Sequence, residues 1–465
     1  MVQERKSPGS RHRHSVGSAR SLDSLLDASR FFVRTAEFAM VPAEFSAELS
    51  RALAALTELG QRDLMGICVH ASGCAVLALL LRATSNPEVS EERASAANRL
   101  VETILTGEEV ADAVFGLAGE RSGSHFLEAA LECCHFSLFE RAVAGAVLGR
   151  LDEYVRDDTG NFAVQSVLKR LAAVLQHEAN GRAATLANQM LCELVDPESI
   201  GSKTAELLRC RGGVLVWALA CDKYTQRKGV LADSILRQWS AEEGDLTTTL
   251  TRQILADERS GNEDKVPGSR GPALFARIVN QLLLSDASHR VVHALSLLSR
   301  DALLQLSTSG QMSRLILDPL FDGKTCQPSL PKDMGRLLHA IISISADLAK
   351  HFAGQHIIRK VYDFAPNAEK ELLASQLAQD YDRLIKSKEG RNSLQHMKVE
   401  IYRRDPKEWK AQLVKAVRAA ELMRDLESTS AANNDKEPAE TIDEGFKESR
   451  KRKRKHRRQG KSNDE

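Results

Sequence analysis

The chain has 465 residues, a formal net charge of +1, 43% hydrophobic and only 5% aromatic residues, and 12 prolines. That is enough chain to bury a large core, and a balanced charge excludes a protein that is cationic throughout. No apolar run reaches membrane-spanning length, the first twenty residues lack a signal-peptide core, and the eight cysteines sit mostly beside aliphatics, so the sequence reads as soluble, intracellular and free of disulfides.

Residues 1–20 are rich in Ser, Arg and His and are expected to be a disordered basic lead. Residues 21–60 hold two amphipathic stretches, SLDSLLDASRFFVRTAEF and PAEFSAELSRALAALTEL, which read as a helical cap over the end of a longer helical region. From 61 to 424 helical periodicity is almost continuous and no alternating strand pattern intervenes, which makes the fold all-α.

One pattern recurs through that region: a Gly or small residue, polar or aromatic groups one, two and five places later, then aliphatics. It appears as HASGCAVLALLL from His70, ERSGSHFLEAAL from Glu120, DDTGNFAVQSVLKRL from Asp157 and CRGGVLVWALA from Cys210. It returns as SDASHRVVHALSLL from Ser285, STSGQMSRLILDPL from Ser307, HFAGQHIIRKVY from His351 and SKEGRNSLQHMK from Ser387. The intervals Gly73–Gly123, Gly123–Gly160 and Gly354–Gly390 are 50, 37 and 36 residues, in the range of helical units that stack because none can bury its apolar face alone. The 76 residues from Gly212 to Ser288 leave room for one degenerate unit.

Two breakers interrupt the array. DERSGNEDKVPGSRGP, 257–272, is a loop that reads as an insertion or as a link between half-arrays, and DGKTCQPSLPKD separates two later units. Seven acids against Lys436 then occupy 425–446, and ten Lys or Arg against Glu448 occupy 447–461. This leaves 21–424 slightly acidic, and residues 425–465 are expected to be a disordered acidic, then basic, tail. The basic residues Arg450, Lys451, Arg452, Lys453, Arg454, Lys455, Arg457 and Arg458 fit a nuclear or nucleolar address, an RNA anchor, or both.

The motif at Asp157 carries the most chemistry. At about 100° per residue, Asn161, Phe162 and Gln165 fall in one arc of a helix whose remainder is aliphatic, so two amides and a ring are expected to face outward together. Amides can hydrogen-bond a base edge and a ring can stack on a base, the chemistry of single-stranded RNA recognition.

As a set, these motifs resemble the Pumilio (PUF) repeat family and, through ERSGSHFLEAAL, DDTGNFAVQSVL, RGGVLVWALAC and SHRVVHALSLL in that order and the terminal EGRNSLQHMKVEIYRRDPKEW before a basic tail, its nucleolar protein 9 branch in ribosome assembly. The resemblance covers roughly 26–424. It implies a curved solenoid of Pumilio-type repeats whose concave face binds precursor ribosomal RNA near the 3′ end of the small-subunit RNA and restrains premature endonuclease cleavage. It implies a nucleolar, non-catalytic protein working among pre-ribosomal assembly factors, for which a monomer without cofactor, metal or membrane contact is expected. In the family, positions one and five of the reading helix hydrogen-bond a base and position two stacks on it. Carried over, Asn161, Phe162 and Gln165 resemble the uracil-type triplet, and Ser124, His125 and Glu128 the guanine-type triplet.

The other units depart from the pattern. Cys74, Ala75 and Ala78 offer no hydrogen-bonding pair, and Gly213, Val214 and Trp217 read as packing. Near Ser288, aligning the aliphatics favours His289, Arg290 and His293, whereas a Ser-His pairing would use Ser288 and His289; near Met312 the triplet is Ser313, Arg314 and Leu317, with Arg314 placed for a base or phosphate. Gln355, His356 and Arg359, then Arg391, Asn392 and Gln395, complete the set. The sequence shows no phosphate loop, nucleophile elbow, paired metal ligands or carboxylate pair in a recognisable context, and Cys133, Cys134 and His135 lack a second ligand pair at zinc spacing. A Pumilio-type messenger RNA regulator and a protein-binding helical-repeat scaffold remain the alternative readings.

Overall fold

The computed structural model describes residues 43–416 apart from 85–90, 107–109, 178–180, 196–199, 227, 260–270 and 323–330, together with 418, 419 and 422. The basic lead, the first part of the cap, most of the loop at 257–272 and the tail lie outside these residues. Among the described residues the structure is helical and contains no strand. It divides into two compact units, Met1–Val291 and Val292–Glu465.

Unit 1 opens with α1 (Ala43–Thr57) and continues in three-helix repeats. Repeat 1 is α2 (Gln61–Val69), α3 (Ala71–Thr84) and α4 (Glu91–Leu105); repeat 2 is α5 (Val110–Gly119), α6 (Arg121–Cys133) and α7 (Phe136–Ala146). Repeat 3 comprises α8 (Leu151–Arg156), α9 (Gly160–Leu175) and α10 (Arg182–Leu194), and repeat 4 α11 (Ile200–Cys210), α12 (Gly212–Asp222) and α13 (Val230–Glu243). Repeat 5 is α14 (Leu246–Arg259), α15 (Gly271–Leu283) and α16 (Ser288–Ser296), and the division between the units falls inside α16. The middle helices α3, α6, α9, α12 and α15 pack each on the next, while α1, α4, α7 and α10 form a second layer.

Unit 2 repeats the plan. Repeat 6 has α17 (Arg300–Thr308), a middle helix made of α18 (Gly310–Met312), a π-helical turn (Ser313–Leu317) and α19 (Asp318–Phe321), then α20 (Pro331–Ser343). Repeat 7 is α21 (Ser345–Leu348), α22 (Phe352–Phe364) and α23 (Asn367–Gln379), and repeat 8 α24 (Tyr381–Leu384), α25 (Lys388–His396) and α26 (Val399–Arg404). Here α19 packs on α22 and α22 on α25, with α20, α23 and α26 as the second layer.

The corner between first and middle helix is built the same way in most repeats. A single extended residue turns the chain: His70, Glu120, Asp157, Ser309, His351 and Ser387 all have ψ between 111° and 152°. Three residues later the first turn of the middle helix lies against the first helix. Several corner residues also cap that turn: Asp157 Oδ1 accepts from the Gly160 amide at 2.7 Å, and Ser387 Oγ from the Gly390 amide at 3.0 Å. A Cβ on Gly73, Gly123, Gly354 or Gly390 would lie within 3.0 Å of the carbonyl oxygen six residues upstream, on Ile67, Leu117, Leu348 or Leu384. At Gly160 the corresponding oxygen, on Tyr154, is 3.1 Å away. The recurrent glycine is therefore a packing requirement, and the aliphatics after it fill the core; Phe126, Leu127, Val164, Leu168, Ile357 and Ile358 are all fully buried.

Repeat 6 carries Met312 at the glycine's place and a π turn beyond it. Pro319 has no amide hydrogen for Leu315, and its ring crowds the carbonyl four residues back, so the helix widens and the Asp318 amide donates to the Ser313 carbonyl five residues away.

Asp222 ends α12, and its carboxylate accepts from the backbone amides of Gly229, at 3.0 Å, Leu231 and Ala232. Burial pushes its pKa up to about 6 despite those bonds. The folded-state value lies above the unfolded one, so this contribution to stability is present at low pH and is lost as pH rises towards 6. The stability of wild type relative to Asp222→Asn should fall between about pH 4 and pH 6 in denaturant titrations, and a pH-independent difference would show the carboxyl to be ionised throughout.

Gly123→Ala should destabilise unit 1 by about 1–3 kcal/mol, although Ala in an open helical position normally gains up to about 1 kcal/mol. Gly66→Ala, where a Cβ meets nothing within 4 Å, is the matched control and should show that gain in thermal or urea unfolding.

Candidate nucleic-acid interface

Counting the corner glycine as zero, positions two and five of the middle helices of repeats 2 and 3 are accessible, and position one turns inward. In repeat 2 the hydroxyl of Ser124 is buried and donates to the Arg121 carbonyl at 3.1 Å, while His125 and Glu128 stand half-buried on the face with Nδ1 and Oε1 3.3 Å apart. In repeat 3, Phe162 and Gln165 occupy the same two places.

Asn161 corrects the helical-wheel expectation, because it is fully buried rather than outward. Its Nδ2 donates to the carbonyls of Asp157 (3.1 Å) and Asp158 (2.7 Å), and its Oδ1 accepts from Gln165 Nε2 at 2.8 Å. Asn161 thus ties the corner to the helix and aims Gln165. The other end of that amide lies over the next repeat: a Cβ on Gly213 would be 2.6 Å from Gln165 Oε1.

Repeats 1 and 4 present little chemistry on this face. The Cys74 thiol donates to the Ser122 carbonyl at 2.8 Å and Ala78 is buried, while Val214 is fully buried and Trp217 half-buried.

The unit assigned to Ser288 is corrected. Those residues form α16, the third helix of repeat 5. Arg290 pairs with Asp233 on α13 at 3.0 Å, His293 faces Asp333 on α20 at 3.2 Å, and His289 Nδ1 lies 3.2 Å from the Asp286 carbonyl. The middle helix of repeat 5 is α15, which repeats the burial order of α9. Ala276, Ile278, Val279, Leu282 and Leu283 are buried where Asn161, Ala163, Val164, Val167 and Leu168 are, and Arg277 and Asn280 take the places of Phe162 and Gln165. FARIVNQLL carries this pattern in the sequence, but it lacks the glycine that marks the other units.

In unit 2, Arg314 stands exposed at position two of repeat 6 with Ser313 buried beneath it, and Leu317 is fully buried rather than on the face. In repeat 7, Gln355 is buried, His356 is exposed with Nε2 3.1 Å from Asp318 Oδ2, and Arg359 reaches the Asn392 carbonyl at 3.5 Å. In repeat 8, Asn392 is half-buried, Gln395 is exposed, and Arg391 is exposed and donates to the Ile385 carbonyl at 2.9 Å.

Carboxylates from neighbouring repeats offset the cations of these helices. Glu132 lies between Arg82 (3.8 Å) and Lys169 (3.2 Å), Lys360 pairs with Asp322, and His396 with Asp363 at 3.4 Å. Among the described residues no cluster of three or more His, Cys, Asp or Glu could hold a metal ion. Burial pushes the Cys134 thiol up, and the Arg170 guanidinium sits 3.3 Å from its sulfur and over the Phe139 ring. No single helix among the described residues is long and apolar enough to cross a membrane. The basic residues from Arg450 to Arg458 lie outside the described residues.

Stacked three-helix repeats, with accessible second and fifth middle-helix positions in repeats 2, 3, 5 and 7, define an all-α solenoid of the Pumilio type. The chain is similar to two solved structures described as APUM23-deletion-of-insert-region-GGAAUUGACGG and APUM23-GGAAUUGACGG. The first has 17% identity and a TM-score of 0.62, covering 84% of this chain and 78% of that one; the second has 17% identity and a TM-score of 0.62, covering 80% and 70%. At this identity the likeness is one of fold. A family model described as the NOP9-like PUF repeat domain matches residues 10–392, and the chain belongs to that family of RNA-binding repeat proteins. No curated protein matches the chain by sequence.

Replacing Asn161 by Ala should lower unfolding free energy by about 1–3 kcal/mol, since it strips buried carbonyls of their donor, whereas Gln165→Ala should leave stability within about 1 kcal/mol. Equal effects in chemical denaturation would contradict the division between a corner-tying and a face-presenting amide.

Proposed function

We propose that the chain is a non-catalytic RNA-binding protein that holds a single-stranded segment of precursor ribosomal RNA across its middle-helix face during small-subunit assembly and shields it from premature endonuclease cleavage. The observation that carries the RNA-binding reading is the recurrence of a stackable group with a hydrogen-bonding group one turn on: His125 with Glu128, Phe162 with Gln165, Arg277 with Asn280, His356 with Arg359. Rings and guanidinium planes stack on bases, and carboxylate, amide and guanidinium groups meet base edges. Family membership and the RNA sequences in the descriptions of the APUM23 structures support RNA as the partner. The ribosomal target, the company of pre-ribosomal assembly factors and a nucleolar location follow from the resemblance to the nucleolar protein 9 branch, and the Lys/Arg-rich tail fits that address.

Phe162→Ala combined with Gln165→Ala should weaken binding to the cognate RNA by about 1–3 kcal/mol with folding retained, measured by fluorescence anisotropy at fixed salt. Unchanged affinity removes these residues from the interface. Crosslinking and sequencing of RNA bound in cells tests the target: peaks on precursor ribosomal RNA are expected, and peaks confined to messenger 3′ untranslated regions would make the protein an ordinary Pumilio-type regulator.

A further inference from the structure

The π turn of repeat 6 changes which residue reaches the face. In α9 the accessible positions after Asn161 are 162, 165, 166 and 169, and in α22 those after Gln355 include 356, 359 and 360. After Ser313 they are 314, 315, 318, 319 and 322, so from the third position onward the order lags by one residue. Ile316 and Leu317 fill the core places held by Ala163 and Val164 in repeat 3, and Leu320 and Phe321 those of Val167 and Leu168. The π turn inserts one residue into the helix, and the fifth position passes from Leu317 to Asp318.

Asp318 is placed as a reader. Its side chain is 17% exposed, Oδ2 lies 3.1 Å from His356 Nε2 of the next repeat, and Oδ1 is buried with no hydrogen-bond partner. The Gln355 Oε1, at position one of that next repeat, is likewise buried without a partner. Position five of one repeat lies against position one of the next in repeats 3 and 4, where Gln165 covers Gly213. Two buried acceptors without partners, one of them an oxygen of the Asp318 carboxylate, call for a ligand that brings donors, because a buried acceptor left empty is unfavourable.

We infer that Asp318, delivered to the face by the π turn, is the specificity-determining residue of repeat 6 and selects guanine. Guanine presents two adjacent N–H donors, N1–H and N2–H, on its Watson–Crick edge, which a carboxylate accepts as a pair. Adenine and cytosine set a ring-nitrogen acceptor beside their one amino group, and uracil sets two carbonyls around its one N–H, so each places an acceptor against the carboxylate. Arg314 at position two of the same helix is exposed, and a guanidinium plane can stack on a base.

The inference rests on the RNA-binding reading above, and one experiment separates them. Full-length wild type and Asp318→Asn are each used to enrich a random single-stranded RNA library, and stability is compared by thermal unfolding. Wild type should enrich a motif with a guanine at one position, and Asp318→Asn should lose that preference about tenfold or more at that position alone, with the rest of the motif unchanged. The same motif from both proteins overturns the role of Asp318 and leaves RNA binding intact. A general loss of enrichment by a folded Asp318→Asn also overturns base selection, because it marks Asp318 as a support of the whole face. No enrichment by wild type overturns both readings.

Discussion

The corner of most repeats depends on a close approach of backbone to backbone. Where the middle helix turns back on the first helix of its repeat, a Cβ on Gly73, Gly123, Gly354 or Gly390 would lie within 3.0 Å of the carbonyl oxygen six residues upstream, and one on Gly160 would lie 3.1 Å from it. With one extended residue at the corner, this contact fixes both the angle and the rotation of the middle helix. Rotation is what matters for the face: if it is the same in each repeat, positions two and five point the same way in each repeat. A helix rotated by one residue, about 100°, would put aliphatics on the face and polar groups in the core. The site is therefore set by a contact that contains none of the site's own side chains.

The second constraint is electrical. In the described residues, several cations of the middle helices meet carboxylates of neighbouring repeats, as Arg82 and Lys169 meet Glu132 and Lys360 meets Asp322. Pairs this exposed add little stability, but each offsets a cation that would otherwise add to a positive field. An RNA held here would be gripped by stacking and by base edges more than by its phosphates, which favours discrimination over general affinity. The largest concentration of unbalanced positive charge in the sequence is at 447–461, outside the repeat array.

Much of the fold was legible, and the exceptions have physical reasons. The recurrent motifs located seven of the eight middle helices among the described residues, five of them through a glycine (Gly73, Gly123, Gly160, Gly354 or Gly390) whose constraint is local to one corner. Repeat 5 escaped because α15 carries no glycine at its corner place, and the neighbouring SDASHRVV, which runs into α16, imitates the motif with Ser288. Asn161 was misplaced because a helical wheel gives the angle of a residue within one helix and cannot show how much of the circumference the chain around it covers. The π turn was hidden for a third reason. Pro319 is visible in the sequence, but a proline can end a helix, kink it or widen it, and only the packing of Leu320 and Phe321 against α22 decides among these.

These exceptions share a consequence for how irregular arrays are read. A repeat code counted along the sequence assumes that every middle helix has the same pitch and begins at a marked corner. Repeat 5 breaks the second condition and repeat 6 the first, so counting from the nearest glycine assigns the wrong residues in both. Burial restores the alignment, since core positions recur in the order one, three, four, seven, eight in α9 and α15, and the residues between them are the ones a ligand can meet. By that measure Arg277 and Asn280 join the face and His289, Arg290 and His293 leave it. The base preference of such a protein is thus a property of its packing register, and one residue inserted in a helix can change it without altering any residue at the glycine-counted positions.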